Sequence, residues 1–384
     1  MELVKNINFN EVMLFFTYFI INFLFLTKYG IRQSIIPIEL LVFAFFVVNI
    51  CFFCFRNNRL LTDRLNVKTV YLAISVITVL YLILCHLLND PYQLNIDRWQ
   101  TLEYSLEYWL KGKYIYDTPN FMGNFSSYLP GQLLLTVLFY WLGNVGYFQV
   151  GAFLLFSYSI LYNFKNNFLR LQGILLLGVS LAFVYEVVCK SDFISSFLIT
   201  ASFLSLWHNI FKENYFAKPF LLGLCIGALC LTRSIVIISL IIFLLRPFLT
   251  ANLSSKIKFC LGCMFSVSIL LATVLLPAKD FKYILHYNPV LLQGQSNKFI
   301  MFFFILLAIV ASFYVKKISD VFYFSSHIIF LSMLSFVLEQ YFVAGYGYQN
   351  NFFSTTYLAA CLPFTIIGYI FVIEYGRTSV KNIK

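Results

Sequence analysis

The chain has 384 residues, of which 61% are hydrophobic and only 11% are charged. Soluble proteins carry roughly a quarter charged residues, so this composition excludes a soluble globular enzyme and is typical of a polytopic membrane protein. The net charge of +11 would suit a nucleic-acid-binding protein. However, the basic residues gather in short loops between apolar segments, which is a feature of membrane topology, so we predict no nucleic-acid partner.

Twelve apolar segments approach the length of about 20 residues that a helix needs to cross a bilayer. They are continuous and lack the alternation of a membrane β-barrel. We therefore predict an all-α integral membrane domain over residues 1–384, with about 12 transmembrane helices. The predicted spans are residues 12–28, 36–55, 69–88, 147–164, 171–189, 193–211, 217–232, 234–249, 259–276, 298–315, 321–338 and 353–373.

Loop charges predict the orientation of these spans. With a cytoplasmic N-terminus, most basic residues fall on the cytoplasmic side, whereas basic and acidic residues balance on the other side. This positive-inside pattern predicts a multi-pass protein of the inner (cytoplasmic) membrane with both termini in the cytoplasm. If the short run Tyr128–Leu142 crossed fully, every later loop would invert. We therefore predict a re-entrant or interfacial helix there.

The longest polar segment, Asn89–Ser127, then lies outside. Within it, five apolar residues recur at helical spacing and form one stripe, namely Trp99, Leu102, Leu106, Trp109 and Leu110. Tryptophan favours the membrane interface, so the stripe predicts a helix lying on the outer leaflet. The outer loop and its interfacial helices, residues 89–142, are the predicted functional region.

Asp97, at the start of this helix, is the leading candidate for a general base. A carboxylate at the water–lipid boundary can accept the proton of an attacking sugar hydroxyl. The alternative is a capping role, because Gln100 follows three residues later as in a capping box. The two interpretations are compatible with each other.

Lys190 and Arg233 lie at the predicted outer ends of helices, where ionisable residues tend to be functional. Either can bind a lipid phosphate. The alternative is that they only extend to the interface. Asp192 is a candidate for the same groove, but it can equally pair with Lys190, as Glu186 can, or cap the next helix.

Four further residues are candidates to line a lipid or sugar groove: Arg98, Tyr128, Pro130 and Gln293. Pro130 can instead simply begin a helix, as proline does in a first turn, with Tyr128 as an interface anchor. The four histidines are scattered, and the paired cysteines 51/54 and 260/263 lie in apolar helices. We therefore predict no metal site from the residues.

Three motifs of the outer loop follow one another in a recognisable order: Ile96-Asp-Arg-Trp99, Leu110-Lys-Gly-Lys-Tyr-Ile-Tyr116 and Phe125-Ser-Ser-Tyr-Leu-Pro-Gly131. This order resembles the first outer loop of GT-C-fold membrane glycosyltransferases. The turn at residues 190–192 and the run 223–233 are also similar to later features of such enzymes.

The resemblance implies a mannosyltransferase-like hexosyltransferase of the cell envelope that uses a polyprenyl-phosphate sugar and a glycan or lipid acceptor. Asp97 would deprotonate the acceptor, and Lys190 or Arg233 would hold the departing lipid phosphate. A divalent metal ion stays compatible with this resemblance, although members with monophosphate donors often need none.

Two other functions stay open from the sequence. A polysaccharide polymerase also has many spans and one large outer loop, but its main catalytic loop is expected later in the chain. A transporter or flippase of lipid-linked sugars typically shows internal repeats and broken helices. We find no repeat, although the breaks near Pro130 and Arg233 are compatible with that class.

Overall fold

The computed structural model describes residues 8–32, 35–55, 65–88, 90–93, 96–293, 296–343 and 355–381. Within these ranges the chain is helical and forms no β-strand, which confirms the predicted all-α class. The α-helices are α1 (Phe9–Gly30), α2 (Ile38–Phe55), α3 (Val67–Leu84), α4 (Arg98–Leu110), α5 (Pro130–Trp141), α6 (Tyr147–Asn163), α7 (Asn167–Gly178), α8 (Leu181–Val188), α9 (Phe193–Phe211), α10 (Pro219–Cys230), α11 (Ile237–Thr250), α12 (Leu253–Leu275), α13 (Phe281–His286), α14 (Pro289–Gln293), α15 (Lys298–Tyr314), α16 (Ile318–Phe342) and α17 (Leu362–Lys381). Short 3₁₀ helices occupy Pro91–Gln93, Ser234–Val236 and Thr355–Cys361.

Six helical segments of the described chain are long and apolar enough to cross a membrane: α1, α3, α9, α12, α16 and residues 355–376. A seventh appears if α7 and α8, which meet at an angle of 54°, form one broken span. The apolar helices α2, α10, α11 and α15 are shorter. The predicted membrane class is thus supported, whereas the number of twelve spans stays a prediction.

Asparagine begins many of these helices. Its short side chain accepts a hydrogen bond from a backbone N–H that the first helical turn leaves without a partner. Five helices use this cap: Asn8 on α1, Asn66 on α3, Asn166 on α7, Asn252 on α12 and Asn297 on α15. The Asp97 side chain, at the start of α4, makes no such cap bond.

Two hydrophobic cores of unequal size, with a further small cluster of Leu129, Leu231 and Leu270, hold the described helices together. The larger includes residues of α1, α3, α6–α11 and α15–α17. The smaller joins α4 and α5 to the end of α12 and to α13. Trp99, Leu102 and Leu106 of the predicted stripe are buried in this smaller core, whereas Leu110 is exposed. The first part of the stripe therefore packs against protein.

Glycines allow α10 to approach its neighbours closely. A Cβ on Gly223 would lie 2.2 Å from the carbonyl oxygen of Phe259 in α12, and one on Gly131 would lie 2.3 Å from that of Ala228. Small residues permit such backbone contact between membrane helices. The Gly131 contact fixes the start of α5 beside the end of α10. Because α5 has 12 residues, it is about 18 Å long, too short for the roughly 30 Å of hydrocarbon.

Candidate functional site

A cavity of about 1080 Å³ lies between the loop before α5, the α8–α9 turn, the α10–α11 turn and helices α15 and α16. Four of the residues singled out from the sequence line it: Asp97, Arg98, Tyr128 and Arg233. Gln293 is a fifth. Lys190, Pro130 and Asp192 are not among its lining residues. The structure therefore brings together residues from positions 97 to 293 and separates three other candidates from the cavity surface.

The Asp97 carboxylate is held by two asparagine side chains. Its Oδ2 accepts hydrogen bonds from Nδ2 of Asn120 at 2.7 Å and from Nδ2 of Asn124 at 2.9 Å. The side chain makes no cap bond to α4, and Gln100 instead accepts from the backbone N–H of Phe121. The capping-box alternative is therefore wrong. In the described part of the chain no donor reaches Oδ1, so one oxygen of the carboxylate stays available.

Asn120 organises the loop that carries these amides. It is buried, and its Oδ1 accepts hydrogen bonds from the backbone N–H groups of Met122 and Asn124. Its Nδ2 also donates to Thr101 Oγ1. Our sequence analysis missed both asparagines. The sequence feature that could have indicated them is the turn-forming composition of residues 120–124. In the structure Gly123 of this turn adopts a φ of 81°.

Arg233, Asp192 and Tyr128 form a buried network beside Asp97. Nη2 of Arg233 lies 2.6 Å from Oδ2 of Asp192, which is fully buried. The Tyr128 hydroxyl donates to Oδ1 of Asp192 at 2.9 Å. Burial raises the pKa of Tyr128 well above its usual value, so the hydroxyl stays protonated. Asp192 thus pairs with Arg233, and the alternatives in which it pairs with Lys190 or caps α9 through its side chain are wrong.

Positive charge exceeds negative charge at this network. The Arg98 guanidinium lies between the rings of Phe193 and Tyr357, at 4.9 and 5.2 Å from their centroids, and donates to Ser191 Oγ. No carboxylate of the described residues forms a salt bridge with Arg98. The buried Nε of Arg233 also lacks a hydrogen-bond partner there. Only one of the two guanidinium groups, that of Arg233, forms an ion pair with Asp192, which favours binding of an anion beside Arg98.

Lys190 does not line the cavity and contacts α4 instead. Its Nζ is 3.6 Å from the centroid of the Trp99 ring, and only 6% of the residue is exposed. Glu186 does not pair with it. That carboxylate instead accepts from the backbone N–H groups of Ile194 and Ser195 and from the Ser195 hydroxyl. The structure therefore gives Lys190 and Arg233 different surroundings, and only Arg233 faces the cavity.

Gln293 joins two walls of the cavity. Its Nε2 donates to the carbonyl oxygen of Ser127 at 2.6 Å, and its Oε1 accepts from the backbone N–H of Ser234 at 3.0 Å. Pro130, in contrast, is buried at the first position of α5. Its helix-starting alternative agrees with the structure, whereas Tyr128 is a buried member of the site rather than an interface anchor.

An apolar wall faces these polar residues. Met301, Phe304 and Ile305 of α15, with Met333 and Phe336 of α16, line the same cavity. Arg32 and the stacked rings of Tyr29 and Tyr185, 3.9 Å apart, form another part of its lining. Our sequence analysis assigned the residues of α15 and α16, and Tyr185, only to membrane spans, and gave Tyr29 and Arg32 no role. A ligand in the cavity therefore meets both charged and hydrocarbon-like surroundings.

The described residues contain no cluster of three or more histidine, cysteine, aspartate or glutamate side chains that would hold a metal ion. The single available oxygen of Asp97 does not replace such a cluster, so these residues do not fit a divalent ion and we assign no step to one. Comparisons with known proteins add no relative: no family model matches the chain, and neither a curated protein nor a solved structure matches it.

Proposed function

We propose that the protein is a GT-C-type hexosyltransferase that moves a sugar from a polyprenyl-phosphate donor to a glycan or lipid acceptor. The observation that carries the proposal is one cavity that contains an available carboxylate oxygen, the two arginines Arg98 and Arg233, and an apolar wall. Its volume of about 1080 Å³ slightly exceeds the roughly 300–1,000 Å³ of small-ligand sites, which suits a substrate with several parts.

The proposed reaction is a direct displacement at the anomeric carbon. The acceptor hydroxyl oxygen forms a bond to that carbon while its proton passes to Oδ1 of Asp97. The bond between the anomeric carbon and the phosphate oxygen breaks, and the polyprenyl phosphate leaves with the electron pair. Attack opposite the leaving group inverts the anomeric configuration. Atoms and charge balance without any other reactant.

Each part of the cavity supports one requirement of this step. The amides of Asn120 and Asn124 fix the Asp97 carboxylate, so its free oxygen needs little reorganisation. Arg233 and Arg98 can stabilise charge that develops on the leaving phosphate, and a buried arginine does so more strongly than one in water. The apolar residues of α15 and α16 can receive the first units of the prenyl chain.

We further propose that the cavity faces the outer side of the inner membrane, with both termini in the cytoplasm. The charge distribution of the loops supports this orientation. The donor would then lie in the outer leaflet, with its headgroup beside Asp97 and its chain beside α15 and α16.

The test is transfer from a panel of polyprenyl-phosphate hexoses by the purified protein in lipid nanodiscs. Asp97→Asn keeps the shape but removes the base, and we expect transfer to fall about 10²- to 10⁴-fold. Glu107→Gln is the matched control, because this exposed acid on the same helix pairs only with Lys111. Full activity of a folded Asp97→Asn protein would overturn the mechanism.

One observation favours a second function. The 54° break between α7 and α8 is the kind of interruption that transporters use near a substrate site. Movement of a lipid-linked sugar across proteoliposomes, without a new glycosidic bond, would identify a flippase. Long products from repeated addition would instead identify the polymerase alternative.

A further inference from the structure

The two halves of the cavity's polar wall come from distant parts of the chain. Asp97 and Arg98 lie at the start of α4, whereas the α8–α9 turn supplies Ser191, which lines the cavity, and Asp192, which pairs with Arg233. A defined spacing between the base and the phosphate site therefore requires that α4 be fixed to this turn. Lys190 of this turn contacts α4 through the ring of Trp99.

The Lys190 side chain contacts α4 through the aromatic ring of Trp99. Its ammonium lies over Trp99, which is 3% exposed and donates its Nε1–H to Glu103 at 2.8 Å. Glu103 of α4 and Cys85, just after α3, are the titratable groups that act on Lys190. A cation over a desolvated indole is attracted to the ring more strongly than one at an exposed site.

The backbone of Lys190 is unfavourable for a residue with a side chain. Its φ is 49°, the only positive φ among the described non-glycine residues. The N–H of Lys190 bonds to the carbonyl of Val187, and that of Ser191 bonds to the carbonyl of Glu186. This is the Schellman pattern, in which the left-handed position usually belongs to glycine. Glycine would end α8 with less strain.

Burial of the Lys190 ammonium is a second unfavourable contribution to the free energy of folding. It lowers the pKa of Lys190, because desolvation penalises the ammonium. Between the lowered pKa and that of a free lysine, the unfolded chain binds more protons than the folded one. The fold therefore gains stability as pH rises through this window. Glycine would avoid both unfavourable contributions, whereas lysine adds the contact with Trp99.

Building on the proposed function, we propose that Lys190 is a positioning residue that holds α4 on the α8–α9 turn through Trp99 and thereby sets the spacing between Asp97 and Arg233. It acts on the reaction through Trp99 and does not touch the donor phosphate.

The first experiment measures the contact and needs no substrate. Tryptophan emission is followed from pH 7 upward in the wild type, in Lys190→Met and in Trp99→Phe. We expect the wild type to show a transition below the pKa of a free lysine that both variants lack. Tyrosine ionisation affects all three proteins alike and cancels in the differences. Identical curves for wild type and Lys190→Met would overturn the proposed contact.

The second experiment separates positioning from phosphate binding. Lys190→Met should keep or raise the unfolding temperature, because it removes a buried charge. It should lower kcat by about tenfold to a hundredfold with little change in the donor KM. Lys190→Arg should recover much of kcat, since it retains a cation over Trp99, whereas Lys190→Gly should not, although it relieves the backbone.

Three outcomes test the positioning role of Lys190 and the proposed function on which it rests. An unchanged kcat in Lys190→Met would overturn the positioning role, and a rise confined to the donor KM would make Lys190 a phosphate ligand instead. Full activity of Asp97→Asn would remove the proposed function itself. The emission result would then still report whether the Lys190–Trp99 contact exists.

Discussion

Three acidic residues near the cavity differ in how their oxygens are satisfied. Both oxygens of Asp192 have partners, Arg233 and Tyr128, and both oxygens of Glu186 accept from the first turn of α9. Asp97 alone among these three keeps one oxygen without a donor. A group that must accept a proton needs such an oxygen. The hydrogen bonds of these three residues therefore identify Asp97 as the candidate base more clearly than its position in the loop does.

The buried ion pair provides a prediction at the residue scale. Removing Arg233 by Arg233→Met leaves Asp192 fully buried without its cation, and we expect a loss of about 3–5 kcal/mol in unfolding free energy. Adding Asp192→Asn should recover part of this loss, because it removes the uncompensated charge. Denaturant or thermal unfolding in detergent measures both variants.

Arg246→Met is the control for the loss of an arginine, since the Arg246 side chain donates to the carbonyl of Val315 and lies at an exposed position. If Arg233→Met were as stable as this control, the ion pair would contribute nothing measurable.

At the scale of elements, two short helices and a turn define the site. Helix α5 begins at Pro130 against the last turn of α10, so that Tyr128 lies beneath Arg233, 5.2 Å from ring centroid to guanidinium. Gly131 makes this approach feasible, since its position faces the backbone of Ala228 and Leu231. The close spacing of α5 and α10 thus depends on the absence of a Cβ at Gly131.

Gly131→Ala should separate α5 from α10. The added Cβ would lie 2.3 Å from the Ala228 carbonyl oxygen and 2.7 Å from the Leu231 backbone, which cannot move aside as a side chain can. We expect a loss of about 1–3 kcal/mol in unfolding free energy, and weaker donor binding as Tyr128 shifts.

Gly173→Ala serves as the matched control, because its nearest neighbours are side-chain atoms 3.4 Å away. It should change stability by less than about 1 kcal/mol. Equal behaviour of the two variants would show that the α5–α10 contact tolerates a methyl group.

At the scale of the whole molecule, the described chain divides into a large helical core and a smaller one that carries α4, α5 and α13. The smaller core adjoins the cavity through Tyr128. We propose that it lies at the outer membrane surface, while the larger core occupies the bilayer. Chemical labelling can decide this orientation.

Single cysteines in a variant without the nine native cysteines would report the two sides. Lys113→Cys, after α4, should react with a membrane-impermeant maleimide on intact cells. Lys258→Cys, near the start of α12, should react only after the membrane is opened. Both positions are exposed to solvent or lipid in the folded chain. The reverse pattern would overturn the proposed topology and place the cavity on the cytoplasmic side.

The sequence by itself determined the helical class, because long apolar segments can satisfy their backbone groups in a bilayer only as helices or closed barrels. It also identified Asp97, Tyr128, Arg233 and Gln293 as cavity candidates, since polar residues stand out between apolar segments. It did not reveal their partners. Asp192 pairs with a residue 41 positions away, and Lys190 contacts Trp99 rather than a ligand. Such contacts depend on how remote helices pack, which only the tertiary structure decides, because local periodicity carries no information about the distance between helices.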